Sequence, residues 1–270
     1  MLRRSPGGKE RLDRLLVDRG LARSRERAQA LVLAGVVRVD GKPAGKPGVL
    51  VPAAADLTVV TPEHPYVGRG GVKLQGALEA FGIDPSGRVA LDIGASTGGF
   101  TDCLLRRGAA RVYALDVGAG QLDWALRRDG RVVVLEGRNA RYLAPGDLPE
   151  RVDLVVVDVS FISLRLILPV LPPVLLPQAE ILALAKPQFE VGRGEVGPGG
   201  IVRDPVKQIA ALEKVSAAAA VSGLAVLGAC ASPITGAEGN REFFLRLRAG
   251  GQGFRGEALT RLLGGIVHGA

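Results

Sequence analysis

The chain has 270 residues, a formal charge of +8 and a pI near 10.0, with 47% hydrophobic and only 4% aromatic residues. That apolar content excludes a mostly disordered chain, and the length suits one large domain or two unequal ones. Two cysteines, Cys103 and Cys230, exclude a disulfide framework or a four-cysteine zinc site, and point to a reducing, cytoplasmic setting.

The basic excess is uneven: residues 1–64 hold 12 Lys/Arg against 7 Asp/Glu. A local surplus of this kind favours a polyanionic partner, nucleic acid or an acidic membrane surface. Residues 10–18 carry Leu12, Leu15 and Leu16 at helical spacing and stop at Gly20. Ser24 is placed to cap a second helix over 25–34, which Gly35 ends. Val36-Val37-Arg38-Val39 followed by Asp40-Gly41 predicts a hairpin, and 48–52 and 57–60 read as further short strands. Residues 1–60 therefore form a small α+β domain near the lower size limit for an independent core. On its helices and hairpin gather Arg11, Arg14, Arg19, Arg23, Arg25, Arg27, Arg38 and Lys42. They can make a phosphate-binding face, or a solvated surface balanced by Glu10, Asp13, Asp18 and Glu26. Scarce aromatics favour shape and backbone recognition of folded RNA over base stacking.

Residues 61–69 hold two prolines without periodicity and read as a linker. From residue 70 to 270 strands alternate with helices. Strands are predicted at 88–92, 111–116, 131–135, 152–159, 180–185, 224–231 and 242–248, short and rich in Val and Leu. Helices are predicted at 100–107, 121–128, 164–171 and 205–222. The class is α/β, a doubly wound, mostly parallel seven-stranded sheet. The stretch 161–185 is apolar, but Arg165, Glu180 and four prolines break it, so it makes core elements and no membrane span. No apolar signal region opens the chain.

Leu91-Asp92-Ile93-Gly94-Ala95-Ser96-Thr97-Gly98-Gly99-Phe100 is a strand entering a glycine-rich turn that opens a helix. Glycines let the backbone approach a ligand, and the helix start offers free N–H donors. Ser96 stands where a dinucleotide fingerprint needs glycine, and no Walker lysine follows. The pattern instead resembles the first motif of S-adenosylmethionine-dependent methyltransferases. Asp116 ends the next strand, where an acid can bind a ribose diol. Asn139, after the third, can meet an adenine edge or simply turn the chain.

Asp158 ends an apolar strand and faces the cleft expected at the carboxyl ends of the sheet. Lys186 closes the next strand, either as a buried functional group or as a snorkelling surface lysine. Lys73 precedes a helical stripe of Leu74, Ala77, Leu78 and Phe81, and Glu242 begins the last strand. Taken singly, these last two suit solvated charges at element ends.

As a set, Lys73, Asp158, Lys186 and Glu242 resemble the Lys-Asp-Lys-Glu group of FtsJ-type ribose methyltransferases. Their surroundings, Arg69-Gly70-Gly71, Asp158-Val159-Ser160-Phe161, Lys186-Pro187-Gln188-Phe189-Glu190 and Asn240-Arg241-Glu242-Phe243-Phe244, are similar to those of the TlyA (hemolysin-A-like) family. The resemblance runs over nearly the whole chain and includes an S4-like RNA-binding domain at its start. It implies a Rossmann-like class I methyltransferase fold and S-adenosyl-L-methionine, bound by the 92–100 turn (Asp92, Gly94, Ala95, Ser96, Thr97, Gly98, Gly99, Phe100), Asp116, Asn139 and Asp158. It also implies methylation of a ribose 2′-hydroxyl, of cytidine, in ribosomal RNA or ribosomal subunits; the chemistry requires no metal, and a monomer is the default expectation.

In that chemistry Lys186 is the base. A free lysine titrates near 10.4, so burial or a neighbouring cation, which Lys73 can supply, has to favour its neutral form. Asp158 orients Lys186 near the methyl donor, and Glu242 fixes Lys73 and the ribose. Cys103 and Cys230 lack the Pro-Cys context of cytosine C5 methyltransferases and read as core residues.

Three other functions compete. Arg11-Leu12-Asp13 superficially resembles a pseudouridine synthase motif. A membrane-active hemolysin would need a signal, a span or an amphipathic membrane helix. A non-catalytic ribosomal RNA-binding assembly factor would not need the four-residue set. Residues 192–200, with five glycines, make either a lid that orders on RNA binding or an inert connection.

Overall fold

The computed structural model describes residues 8–60, 64–236 and 238–269. Residues 1–7 of the expected small domain and 61–63 of the expected linker lie outside them. The N-terminal unit begins with strand β1 (Lys9–Arg11), then helices α1 (Leu12–Asp18) and α2 (Arg25–Leu33). Short strands β2 (Val37–Val39), β3 (Lys42–Pro43), β4 (Leu50–Pro52) and β5 (Leu57–Val59) follow. The predicted first helix loses its opening residues to β1, because Lys9–Arg11 pair antiparallel with β4. Long-range strand pairing here overrides local helical periodicity. The Ser24 hydroxyl accepts the Arg27 N–H at 3.2 Å, the cap expected from the sequence. Leu12, Leu15, Leu16, Val32, Val37, Val51 and Leu57 form the core.

Asp13 is fully buried in this unit. It accepts hydrogen bonds from Arg11 Nε (3.0 Å) and Nη2 (2.8 Å), Arg25 Nε (3.0 Å) and Gln29 Nε2 (3.0 Å). The Arg11 bonds, joined by those from Gln29 and Arg25, outweigh burial and hold its carboxyl far below the usual range. Asp13 is therefore a strut of the small domain and is closed to any substrate.

The catalytic-sized unit opens with α3 (Gly70–Phe81) and alternates β6 (Val89–Ile93), α4 (Gly99–Arg106), β7 (Arg111–Asp116), α5 (Trp124–Arg127) and β8 (Val132–Glu136). Then come β9 (Val152–Val157), β10 (Leu175–Ala185), α6 (Pro187–Glu190), α7 (Pro205–Val221), β11 (Leu224–Ala231), β12 (Phe243–Ala249) and α8 (Gly256–His268). The seven-stranded sheet has the order β11-β12-β10-β9-β6-β7-β8. Pairs from β10 to β8 are parallel, and β12 runs antiparallel between β10 and β11. The fold is the doubly wound, mostly parallel α/β sheet that the strand pattern predicts.

Alternation along each strand explains the two layers of helices. Leu91, Ile93, Val155, Val157 and Ile181 pack toward α7 and α8, while Ala90, Leu154, Val156 and Leu182 pack toward α3 and α4. Each such fully buried Val, Leu or Ile stabilises the fold by roughly 1.5–3 kcal/mol. The order of strands reverses between β6 and β9, and ligands of such sheets bind at that switch point.

Two expectations are corrected and one helix was missed. The helix predicted over 164–171 is a string of 3-10 turns, Leu164–Leu166 and Leu168–Val170, continued by Pro172–Val174. Pro169, Pro172 and Pro173 lack the N–H donors an α-helix needs. The helix predicted over 121–128 shortens to α5, which begins where the Asp123 carboxylate accepts the Ala125 N–H at 2.9 Å. The C-terminal helix α8 was not predicted; it packs Leu263 and Val267 on the sheet.

The N-terminal unit sits against the larger one. Arg27 Nη1 lies 3.0 Å from Asp123 Oδ2, and Lys46 Nζ lies 2.9 Å from Glu238 Oε1. Leu33, at the end of α2, reaches the mouth of the cleft above β6 and β9.

Candidate active site

The turn after β6 owes its shape to glycine. Gly94 has φ +87°, and a Cβ there would stand 2.4 Å from the Asp158 carbonyl oxygen. No L-side chain is accommodated, so the backbone runs close beneath the cleft. Ser96 shares the left-handed region at φ 49°. Its N–H donates to Asp116 Oδ2 at 2.8 Å, and the Gly118 N–H donates to Asp116 Oδ1 at 2.7 Å. Asp116 is thereby fixed on the cleft wall with acceptor capacity on both oxygens still to spare.

A cavity of about 670 Å³ opens here, lined by Gly94, Ser96, Asp116, Asn139, Asp158 and Phe161 among others. That volume suits a nucleoside-sized ligand. A narrower pocket sharing Leu33, Gly94, Ser96 and Asp158 continues past Ala95, Thr97, Gly99 and Phe100 to Lys73. Gly98, at φ +95°, caps the start of α4.

Asp92, expected among the cofactor contacts, is fully buried beneath the turn, so its carboxylate does not face the cleft. The Thr101 hydroxyl donates to Asp92 Oδ2 at 2.7 Å, and Oδ1 has no hydrogen-bond partner. Burial lifts the acid to about 7 against the pull of Thr101. Asn139 is exposed on the rim, where its Oδ1 accepts the Arg141 N–H at 3.1 Å. The side chain thus turns the chain at the edge of the cavity.

Lys73, Asp158, Lys186 and Glu242, spread over 170 residues of sequence, meet at the carboxyl ends of β9 and β10. Lys186 Nζ lies 2.6 Å from Asp158 Oδ1 and donates to Ser160 Oγ at 2.9 Å. The contact with Asp158 is an ion pair off the hydrogen-bond angle, so Asp158 Oδ1 has no hydrogen bond of its own. Lys73 Nζ donates to Glu242 Oε2 at 2.5 Å. Burial alone would lower the Lys73 ammonium, but Asp158 and Glu242 outweigh it and raise its pKa. Asp158 is likewise lowered: desolvation opposes ionisation, and Lys186 and Lys73 overcome it. Lys186 is buried, which removes the snorkelling alternative.

Two supporting residues went unassigned in the sequence. Ser160 accepts from Lys186, as above. Glu190 is buried, accepts from the Ser163 hydroxyl at 2.5 Å and the Leu164 N–H at 2.7 Å, and so ties α6 to the loop after β9. Burial raises the Glu190 acid against those bonds. Both lie inside the motifs around Asp158 and Lys186, and the legible signal was an acid four residues past a strand-closing lysine.

The eight expected RNA-binding cations are all exposed, but they divide by engagement. Arg11 and Arg25 hold Asp13. Arg19 donates to the Ala53 and Ala55 carbonyls at 2.5 and 2.6 Å. Arg27 pairs with Asp123, and Arg38 donates to the Gly41 carbonyl at 3.4 Å. Arg14, Arg23 and Lys42 form no ion pair among the described residues. Arg69, Arg138 and Arg141 add cations at the cleft itself.

The glycine-rich stretch 192–200 folds into two 3-10 turns, Arg193–Glu195 and Pro198–Gly200. Buried Asn240 anchors its end, accepting the Val202 N–H at 3.0 Å and donating to the Gly200 carbonyl at 2.8 Å.

An FtsJ-like methyltransferase family model matches residues 66–249, and an S4 domain model matches residues 10–56. The chain is 55% identical over 239 residues to the 16S/23S rRNA (cytidine-2′-O)-methyltransferase TlyA of Mycobacterium tuberculosis, covering 88% of this chain and 89% of that one. It is 41% identical over 234 residues to Hemolysin A of Brachyspira hyodysenteriae, covering 86% and 97%. A solved structure from Streptococcus thermophilus, provisionally named a hemolysin, matches with a TM-score of 0.74 at 41% identity, covering 97% of this chain and 96% of that one. Among the described residues no helix is long and apolar enough to cross a membrane.

Proposed function

This chain belongs to the TlyA family of FtsJ-like methyltransferases, and we propose that it methylates a ribose 2′-hydroxyl of cytidine in ribosomal RNA. The observation that carries the reading is the pairing of Lys186 Nζ with Asp158 Oδ1 at 2.6 Å, on adjacent strand ends beside a glycine turn. The donor is S-adenosyl-L-methionine. When bound, it supplies a methyl group on a sulfonium centre that accepts an in-line oxygen nucleophile.

The residues present fit that group. The backbone cradle at Gly94, which a Cβ would fill, and the fixed Asp116 carboxylate suit a ligand with a ribose diol and an extended tail. Gly94, Ala95, Ser96, Thr97, Gly99 and Asp116 would hold it, with Asn139 and Phe100 lining the connected pockets. Asp92 and Gly98 act from below by shaping the turn.

Lys186 is the base. Its Nζ would take the 2′-hydroxyl proton as that oxygen gains the methyl, with the sulfur–methyl bond breaking and the donor leaving as a neutral thioether. Ser160 and Asp158 aim its Nζ, and Lys73 is held in turn by Glu242. Alignment of the oxygen supplies much of the rate. The protein works in the cytoplasm as a monomer, and Arg14, Arg23 and Lys42 meet RNA phosphates directly.

The test is transfer of labelled methyl groups to ribosomal subunits lacking the modification, with Lys186→Ala in parallel and the methylated position mapped. Methylation at a 2′-oxygen that is lost in the variant is the expected result. Transfer to a base nitrogen or carbon would overturn the chemistry. Full activity in the variant would overturn the role of Lys186.

A further inference from the structure

We propose that the groove between the N-terminal unit and α5 is a separate RNA-contact site, in which an unpaired nucleotide stacks on Trp124. This rests on the reading of RNA as the substrate and names where a strand outside the reacting nucleotide is held.

Trp124 opens α5 and is 66% exposed. An indole left in water forgoes the burial that makes tryptophan so stabilising in a core. Its ring is covered by the Arg128 guanidinium, whose Cζ lies 4.4 Å from the ring centroid. The pair forms a flat, cationic platform. On the other side of the groove stand Arg23 and Arg27 of the N-terminal unit, with Leu21 and Val59 completing the lining. The open groove, about 830 Å³, is ample for a nucleotide.

Charge decides the occupant. The acid in the groove, Asp123, is already engaged by Arg27 at 3.0 Å and by the Ala125 N–H at 2.9 Å. Arg23 and Arg128 have no acidic partner among the described residues. Cationic side chains flanking an exposed aromatic face are the combination that holds unpaired nucleotides, with phosphate on arginine and base on the ring. A paired duplex keeps its bases stacked internally and offers the ring nothing. An apolar peptide would have to desolvate the arginines.

Trp124 is the only tryptophan of the chain, so intrinsic fluorescence reports on this ring alone. The full-length protein is titrated with a short single-stranded RNA and with a blunt RNA duplex. Saturable quenching by the single strand and little by the duplex is expected. By anisotropy of a labelled single strand, Trp124→Ala should weaken binding about tenfold, whereas Trp124→Phe keeps most of it. Arg23→Glu should weaken binding and flatten its salt dependence. Unchanged fluorescence with RNA bound, or equal affinity in Trp124→Ala, overturns the groove while leaving methyl transfer to ribosomal subunits intact. Loss of both RNA binding and methyl transfer in the parent protein overturns the substrate reading, and the groove with it.

Discussion

Lys73 Nζ and Glu242 Oε2 stand 2.5 Å apart across 169 residues of sequence, joining α3 to the lead-in of β12, whose first residue Phe243 pairs with Ala185 next to Lys186. Both side chains are largely buried, at 11% and 3% exposure. Removing one member strands the other, and such losses cost roughly 3–5 kcal/mol. Glu242→Ala should therefore lower both stability and methyl transfer. Lys73→Met combined with Glu242→Leu should recover much of the stability and none of the activity. Urea unfolding beside methyl-transfer assays separates the two effects; recovered activity in the double variant would remove the pair from catalysis.

Gly94→Ala places a Cβ against the Asp158 carbonyl and asks alanine to hold φ +87°. The backbone strain alone is of the order of 1–3 kcal/mol, and relief requires the turn to move away from the cleft. Calorimetric titration with S-adenosyl-L-methionine should show binding weakened about tenfold or more, with the fold retained. Unaltered affinity would place the cofactor elsewhere.

Asp92 yields a pH signature. Its acid is raised to about 7 in the fold, against about 3.9 for a free aspartate. Both states are protonated at the lowest pH, so no penalty exists there. As pH rises from about 4 to about 7, the unfolded state ionises first and the folded state loses stability relative to it. Above about 7 the difference is constant. Asp92→Asn lacks this loss, so its melting temperature should rise relative to the parent across that window and then run level. A pH-independent difference would show that Asp92 ionises as it does in water.

The exposed cations of the N-terminal unit should fall into two classes. Arg14→Ala, Arg23→Ala and Lys42→Ala should weaken RNA binding and reduce its salt slope by about one each, with melting unchanged. Arg11→Ala should instead destabilise the unit, because it uncovers part of buried Asp13. Equal salt slopes for both classes would erase the division.

Sequence spacing revealed the sheet, the glycine turn, Asp158 and Lys186 because each leaves a local mark, whereas Lys73 and Glu242 stood out only through the resemblance to a known family. Alternating Val and Leu gives strands, and a charge that closes an apolar run stands out. Pairing between distant elements leaves no such mark. Asp13 looked like one acid among surface charges until the fold closed Arg11, Arg25 and Gln29 around it. Asp92 sat inside a cofactor motif, yet its strand alternation turns it under the turn instead of into the cleft. Ser160 and Glu190 lay within recognised motifs, but only the contact of α6 with the loop after β9 gives them partners. Helix α8 escaped because Gly264 and Gly265 interrupt its pattern, although Leu263 and Val267 still bury one face.

Leu33 belongs by chain to the N-terminal unit, half-exposed at the end of α2, yet it forms part of the wall around Gly94, Ser96 and Asp158. The unit is thus architecture as well as address label. Exchanging it for an unrelated module would remove Leu33 from the wall of that cleft, so the two halves are not interchangeable parts, and changes at the end of α2 have to be compatible with the cleft.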